Sequence, residues 1–183
     1  MDGYIAVIDT ETNWDNCLMS VGVAIADAGT LRPVDAKYII ISPEYERGGM
    51  YFESLGLYEP VHMLFRHEAV GAIETFLKEY GVSKLFAYNA GFDRGVLREF
   101  YGYDWYDIIG VAAYSNFNDK IKPAECCKSG RLKRGYGVEA MLRRLTGSDN
   151  YFETHNAMLD AFDELTIMRL MGHSVETYEK ARL

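Results

Sequence analysis

Tyr4-Ile5-Ala6-Val7-Ile8-Asp9-Thr10-Glu11-Thr12, YIAVIDTET, begins as an apolar run rich in β-branched residues and ends in two acids set two positions apart. Residues 4–8 read as a buried strand, because an unbroken apolar stretch of this length suits a strand covered on both faces. On an extended chain residues i and i+2 project to the same side, so Asp9 and Glu11 share one site at the strand's end. A strand that simply ends in solvent carries such acids too, and D-x-E alone is a weak signal. Its meaning depends on what the rest of the chain brings to the same place.

Outward from this strand, Leu18 to Ala26 forms a second apolar run that stops at the turn sequence DAGT, and Lys37 to Ile41 supplies a third before Pro43. From His67 to Tyr80, the spacing of Val70, Ile73, Phe76 and Leu77 predicts a helix with Gly81 as its stop. LFAY at 85–88 then reads as a buried strand, DRGVLREFYG at 93–102 as a helix, and WYDII at 105–109 as another strand. Val138, Met141, Leu142 and Leu145 mark a helix from Gly137, and the last long helix runs from about Asn156 to Met171. Three successive strands followed by β/α alternation predict an α/β domain. Two stretches, Ser42 to Leu64 and Asn116 to Gly135, are expected to be irregular, as functional or mobile connections often are.

With 183 residues, 49% hydrophobic and 14% aromatic, the chain is long enough for one well-buried core. It is expected to be one domain over 1–183, with 172–183 a short C-terminal extension. The opening MDGYIAVIDTE has no basic leader, and no stretch approaches the roughly 20 apolar residues of a membrane span, so a cytoplasmic protein is expected. Cys17, Cys126 and Cys127 form no C-x-x-C pattern and leave an odd count, which speaks for reduced thiols rather than a disulfide framework or a zinc site. The net charge of −8 would discourage binding to phosphates, but the charge is segregated. Between Lys120 and Arg134 six cations stand against Glu125 alone, a local +5 that leaves −13 for the remainder.

Two further acids point toward the first pair. In NAGFD, Asp93 follows the strand LFAY through a short turn and enters the first turn of a helix, where it could merely complement the helix dipole. Yet ligand sites of open sheets gather at the carboxyl ends of strands, where Asp9 and Asp93 both lie. Asp160 shares a helical face with Ile167 and Met171, each within about 20° of it on a helical wheel, so it faces the interior. With no Lys or Arg three or four residues away, its partner must be distant: a base or a metal. Glu164, one turn on, is either a further ligand or part of the rim.

Four converging acids repel one another, whereas two divalent ions balance them, and oxygen-only ligands suit Mg²⁺ or Mn²⁺. Two such ions can hold a phosphodiester and activate a water, which then needs a proton acceptor, and a neutral histidine qualifies. His155 lies five residues before Asp160; in one continuous helix the two would diverge by about 140°, so either the pair is unrelated or His155 stands off the helix, with Asn156 as N-cap. It is then expected to be exposed or mobile, with Asp160 buried beside Asp9.

These residues resemble the DEDDh 3′-to-5′ exonucleases, which include proofreading subunits, ribonuclease T and oligoribonuclease. Asp9 and Glu11 in DTET match the first motif, Asn89 to Asp93 in NAGFD the second, and His155 to Asp160 in HNAMLD the H-x4-D of the third. The sister group has Tyr four residues before the last Asp; here that position is Asn156. The resemblance, covering Tyr4 to Met171, implies a ribonuclease H-like fold: a mixed five-stranded sheet, three antiparallel strands then two parallel, with helices on both faces. It implies a two-metal 3′-to-5′ exonuclease acting on single-stranded DNA or RNA and releasing nucleoside 5′-monophosphates. In that scheme Asp9, Glu11, Asp93 and Asp160 hold the metals and His155 is the general base.

Thr12 would contact the terminal nucleotide through its backbone, and Asn89 would fix the loop carrying Asp93. Trp14 and Phe92 are candidates for stacking on bases, with Tyr45, Tyr51 and Phe52 weaker ones, and Lys128, Arg131, Lys133 and Arg134 could lead phosphates to the metals. Tyr88 before the motif Asn, Asn13-Trp14 after the first motif, and GLYEPVHML depart from common family patterns and touch the choice of substrate. Several relatives dimerise, so a homodimer, or association with a polymerase or another nucleic-acid enzyme, is an assembly to test; no membrane is expected. Two competing readings are a catalytically silent nucleic-acid-binding or scaffold module, which would not need these five residues, and an aspartyl phosphatase, which would favour D-x-D.

Overall fold

The computed structural model describes residues 3–183. The leading strand, β1 (Tyr4–Thr12), runs through the acids rather than stopping before them. Ile5, Ala6, Val7 and Ile8 are all buried because β1 has packed layers on both sides: Ile5 and Val7 face one core, Ala6 and Ile8 the other. This two-sided burial is why the run shows no polar alternation. β2 (Leu18–Asp27) returns antiparallel to β1, and β3 (Pro33–Ser42) pairs antiparallel with β2.

The connection expected to be irregular contains two short 3₁₀ turns and a further strand, β4 (His62–Phe65), which lies parallel to β3. β5 (Lys84–Ala87) pairs parallel with β1, and β6 (Asp104–Asp107) parallel with β5. The sheet therefore has six strands, in the order β4-β3-β2-β1-β5-β6, not the five expected. β4 escapes a sequence reading because it has only four residues, sits on the sheet's edge, and leaves Met63 and Phe65 exposed, so no burial pattern is written into it.

Helices cover both faces. α1 (Arg66–Glu79) buries Ala69, Ile73, Phe76 and Leu77 against one of them. On this side α2 (Ala90–Val96) is shorter than the helix expected over 93–102. The chain leaves α-geometry at Leu97 and makes a 3₁₀ turn over Arg98–Phe100. Leu97 and Phe100, three apart, are both fully buried, which the tighter turn allows, and Gly91 and Gly95 give the helix little intrinsic support. WYDII likewise divides, its strand ending at Asp107 and a one-turn α3 (Ile109–Ala112) following.

The opposite face carries α4 (Val138–Thr146) and α5 (Ala157–Met171), then the one-turn α6 (Val175–Tyr178). Tyr178 is buried and its hydroxyl donates to Met168 O, while the Leu183 amide donates to Trp105 O, so the C-terminal tail packs back on this core.

α5 positions the site. It starts where expected, because the Asn156 side chain accepts hydrogen bonds from the Met158 and Leu159 amides, and it ends at Gly172 in a left-handed cap. It lies across β1 and β2. Met158, Leu165, Ile167 and Met168 are all fully buried, each contributing roughly 1.5–3 kcal/mol. The helix start rests directly on Gly22, the residue paired with Asp9 on β2: a Cβ there would lie 2.3 Å from Ala157 O. Gly22→Ala is therefore expected to lower stability by about 2–3 kcal/mol by forcing α5 off the sheet. A chemical-denaturation midpoint unchanged from wild type would contradict this seating.

Candidate active site

Five carboxylates meet at the carboxyl ends of β1 and β5 under the first two turns of α5. β1 sends Asp9 and Glu11 toward α5, since its odd-numbered residues face that helix. Asp160, in the first turn of α5, is buried, and Glu164 one turn later is buried as well. Asp93 enters from α2 and is buried; the Thr10 hydroxyl donates to its Oδ1 at 2.7 Å. The sequence left Glu164 as either ligand or rim; its 1% exposure excludes the rim.

His155 stands outside α5, the second of the two readings its spacing allowed, with a left-handed φ of +53°. One ligand atom from each of Glu11, His155 and Asp160 lies within 4.8 Å of the others, so the third motif and the first converge. Asp9 and Asp93 lie outside that tight group but are electrostatically joined to it: Asp93 raises Glu11, and Asp93, Asp160 and Glu11 all raise Asp9. The expectation of an exposed His155 is not met. Its ring is half-buried and stacks on Tyr51, with centroids 3.8 Å apart and planes inclined by 13°.

The electrostatics of the cluster are those of an acid site without a counterion. Burial, then Asp160, Glu153 and Asp93, push Glu11 up to about 8. Burial likewise pushes Asp93 up to about 7 against the opposing Thr10 hydrogen bond, and burial with Glu153 and Asp163 pushes Asp160 up to about 7. Burial raises Asp9 and Glu164 well above the carboxylate range, each further raised by its acidic neighbours. Burial holds His155 below its ordinary value, which favours the neutral imidazole near neutral pH. Among the described residues, none of the five acids pairs with Lys or Arg. Asp9 Oδ2 and Glu164 Oε2 are enclosed and have no hydrogen-bond partner among the described residues. Orphaned buried oxygens of an all-carboxylate set, with one imidazole at the mouth, fit hard divalent cations such as Mg²⁺ or Mn²⁺.

Beside the acids lies a cleft of about 310 Å³ lined by Glu11, Thr12, Asn13, Trp14, Asn16, Met50, Tyr51 and Phe92. Trp14 and Phe92, the two stacking candidates, are 65% and 47% exposed and are therefore not core residues. Tyr45 and Phe52 stack on each other outside this cleft. Tyr51, a weaker candidate from its place in the sequence, lines it and reaches His155 as well.

Asn89 is exposed and left-handed, and its side chain makes no capping bond. The loop carrying Asp93 is held instead by Asp107, whose Oδ1 accepts from the Asn89 and Ile109 amides. Asp107 does not stand out in the sequence because one acid at a strand end is unremarkable. Glu153, half-buried beside the acids, is equally silent there, for it belongs to no motif.

The basic stretch divides. Arg131 lies over the Tyr136 ring at 4.4 Å, and its charge acts on Asp107 and Tyr88, near the carboxyl ends of β5 and β6. Lys133 and Arg134 line a different cleft, about 640 Å³, together with Glu125 and Arg144, and it shares no residue with the aromatic one. Lys128 is exposed.

No protein-family model matches the sequence, and no curated protein does. Solved structures do match in fold. The nuclease domain of 3′hExo, a DEDDh family member, solved with rAMP, aligns at a TM-score of 0.62 with 17% identity, covering 93% of this chain and 92% of that one. Exonuclease I of E. coli, in complex with a dT13 oligonucleotide, aligns at 0.63 with 11% identity over 98% of this chain. Exonuclease I of Methylocaldum szegediense aligns at 0.64 with 17% identity over 97%. The chain spans less than half of the two Exonuclease I chains, 43% and 42%. The fold of this chain is thus the one these nucleases share, the mixed sheet with helices on both faces that the resemblance implied, with six strands in this chain where five were expected.

Proposed function

We propose that the protein is a metal-dependent 3′-to-5′ exonuclease that hydrolyses the terminal phosphodiester of single-stranded DNA or RNA and releases nucleoside 5′-monophosphates. The observation that carries this reading is the convergence of Asp9, Glu11, Asp93 and Asp160 with His155, uncompensated by any cation among the described residues, beside an open aromatic cleft.

Asp9, Glu11, Asp93 and Asp160 would hold two divalent ions, Mg²⁺ or Mn²⁺. When bound, such ions supply countercharge to the acids and polarise the phosphodiester and the attacking water. The chain's own residues do the rest. Thr10 orients Asp93 through its hydroxyl, and the Asn156 cap fixes the start of α5 so that Asp160 faces β1. His155, neutral and next to Glu11 and Asp160, takes the proton of the water as it attacks phosphorus. The terminal base stacks between Trp14 and Phe92, an interaction worth roughly 1–3 kcal/mol per base that accepts any base. Thr12, at the rim of the same cleft, offers backbone groups to the terminal sugar.

A 5′-labelled single strand incubated with Mg²⁺ or Mn²⁺ tests the polarity. A ladder shortening one nucleotide at a time from the 3′ end is expected, absent in Asp160→Ala; internal fragments from the outset would overturn the exonuclease assignment.

The basic stretch has a separate test. In this reading Arg131, whose charge acts on Asp107, would meet the strand on the 5′ side of the scissile bond, with Lys128, Lys133 and Arg134 adding long-range attraction. Neutralising all four is expected to raise KM at low salt and flatten its salt dependence, by about 0.7 in log–log slope for each phosphate that is no longer neutralised. Unchanged cleavage at subsaturating substrate would exclude the stretch from binding.

A further inference from the structure

The stack between Tyr51 and His155 uses a residue outside every motif. Tyr51 lies in the long connection between β3 and β4, yet that connection is tied down on both sides of it. Upstream, the Trp14 amide donates to Gly48 O at 3.1 Å, and Gly49 is so close to β1 that a Cβ would lie 2.9 Å from Thr12 O. Downstream, Asn156 Nδ2 donates to Ser54 O at 2.7 Å and to the Tyr38 hydroxyl at 3.1 Å. The phenol ring is therefore held between the end of β1 and the N-cap of α5, the two elements whose acids form the site. One face covers the His155 imidazole, and the ring also lines the cleft with Trp14, Met50 and Phe92.

His155 itself has little else to hold it. It is a non-glycine residue in the left-handed region, a strained conformation that neighbouring groups must maintain. Among the described residues its side chain makes no hydrogen bond to protein, so the Tyr51 ring is the packing partner that fixes the imidazole plane. A 1 Å displacement of a catalytic base can cost about 10²-fold in rate.

We propose that Tyr51 is a positioning residue: its ring clamps the His155 imidazole over Glu11 and Asp160, and a nucleobase entering the cleft against Tyr51 braces the clamp, coupling an occupied cleft to a placed base. This rests on the exonuclease reading above. Both consequences are kinetic. Loss of the ring lowers kcat, and loss of the terminal base lowers kcat as well as raising KM.

The test joins a spectroscopic signature with turnover in the full-length protein. A proton NMR spectrum of wild type should place the His155 Cε1–H upfield of the other three histidines, identified by its absence in His155→Gln, because it lies over the Tyr51 ring. In Tyr51→Leu that signal should move downfield and kcat fall by about 10–100-fold. Tyr51→Phe, which keeps the ring and loses only the hydroxyl, should restore both. An abasic 3′-terminal residue should lower kcat in wild type and lower it no further in Tyr51→Leu. A signal that stays in place in Tyr51→Leu, or a kcat that survives its movement, overturns the clamp. An abasic end that leaves the wild-type kcat intact overturns the coupling. A wild-type protein that trims no single strand with Mg²⁺ or Mn²⁺ overturns the exonuclease reading instead, and the histidine signal then still reports whether the stack exists.

Discussion

Asp160→Asn is expected to abolish 3′ trimming, lowering the rate by about 10³-fold or more, while making the metal-free protein more stable. The first effect follows from the position of the carboxylate in the first turn of α5, against Glu11 and His155, where it would act only by holding cation charge in the transition state. The second follows from the same burial. Asp160 is pushed up to about 7 by desolvation and by Glu153 and Asp163, so an ionised Asp160 is a liability to the fold when no metal is present. The near-isosteric amide removes that charge, and a gain of about 1–3 kcal/mol at pH 8 is expected after allowance for coupling within the cluster. Thermal denaturation in chelator beside a trimming assay reads both effects. An Asn variant that retains activity, or one less stable than wild type without metal, would place Asp160 outside a charge-strained metal site.

A second large effect concerns pH. Glu11, Asp93 and Asp160 have folded-state values of about 8, about 7 and about 7, against ordinary values of 4.5, 3.8 and 3.8. Each therefore binds its proton more tightly folded than unfolded. The stability this gives is complete below the ordinary carboxylate range, falls as pH rises, and is lost once pH passes the folded values. Metal-free protein should thus lose several degrees of Tm between about pH 5 and about pH 8, a change of order 2–4 kcal/mol once the three coupled groups share their protons. Carboxylates whose values are lowered, such as Glu125 beside Arg144, lie at the surface and titrate below this window, so they do not reverse the trend. Mg²⁺ or Mn²⁺ should raise Tm most at the alkaline end, where metal does not compete with protons for the same oxygens. A metal-free Tm that is flat or rises across the interval would contradict the strain assigned to the cluster.

Much of this was written locally in the chain. The β1 run, the two acids at its end and the Asn156 cap each depend on near neighbours: pleat geometry fixes Asp9 against Glu11, and the cap frees His155 from the helix. Other features depend on distant parts of the chain. β4 exists because β3 offers an edge, not because HMLF demands to be a strand. Glu164 is buried because α5 lies flat on β1 over Gly22, a seating no helical wheel can show. Tyr51 is one aromatic among several in a long loop, and its place beside His155 is set by anchors at Trp14 and Asn156. Asp107 takes the role expected of the Asn89 side chain because the left-handed Asn89 donates its backbone amide to the Asp107 carboxylate.

We propose the acid cluster as a metal centre for removing nucleotides from 3′ ends. Its most direct test is to incubate the purified protein with a single strand labelled in its last nucleotide, with Mg²⁺ or Mn²⁺ and in parallel with chelator, and to identify the first labelled product. The expected product is a nucleoside 5′-monophosphate, released with metal and withheld by chelator. Release of the label in chelator, or as a 3′-phosphate or an internal fragment, would contradict it.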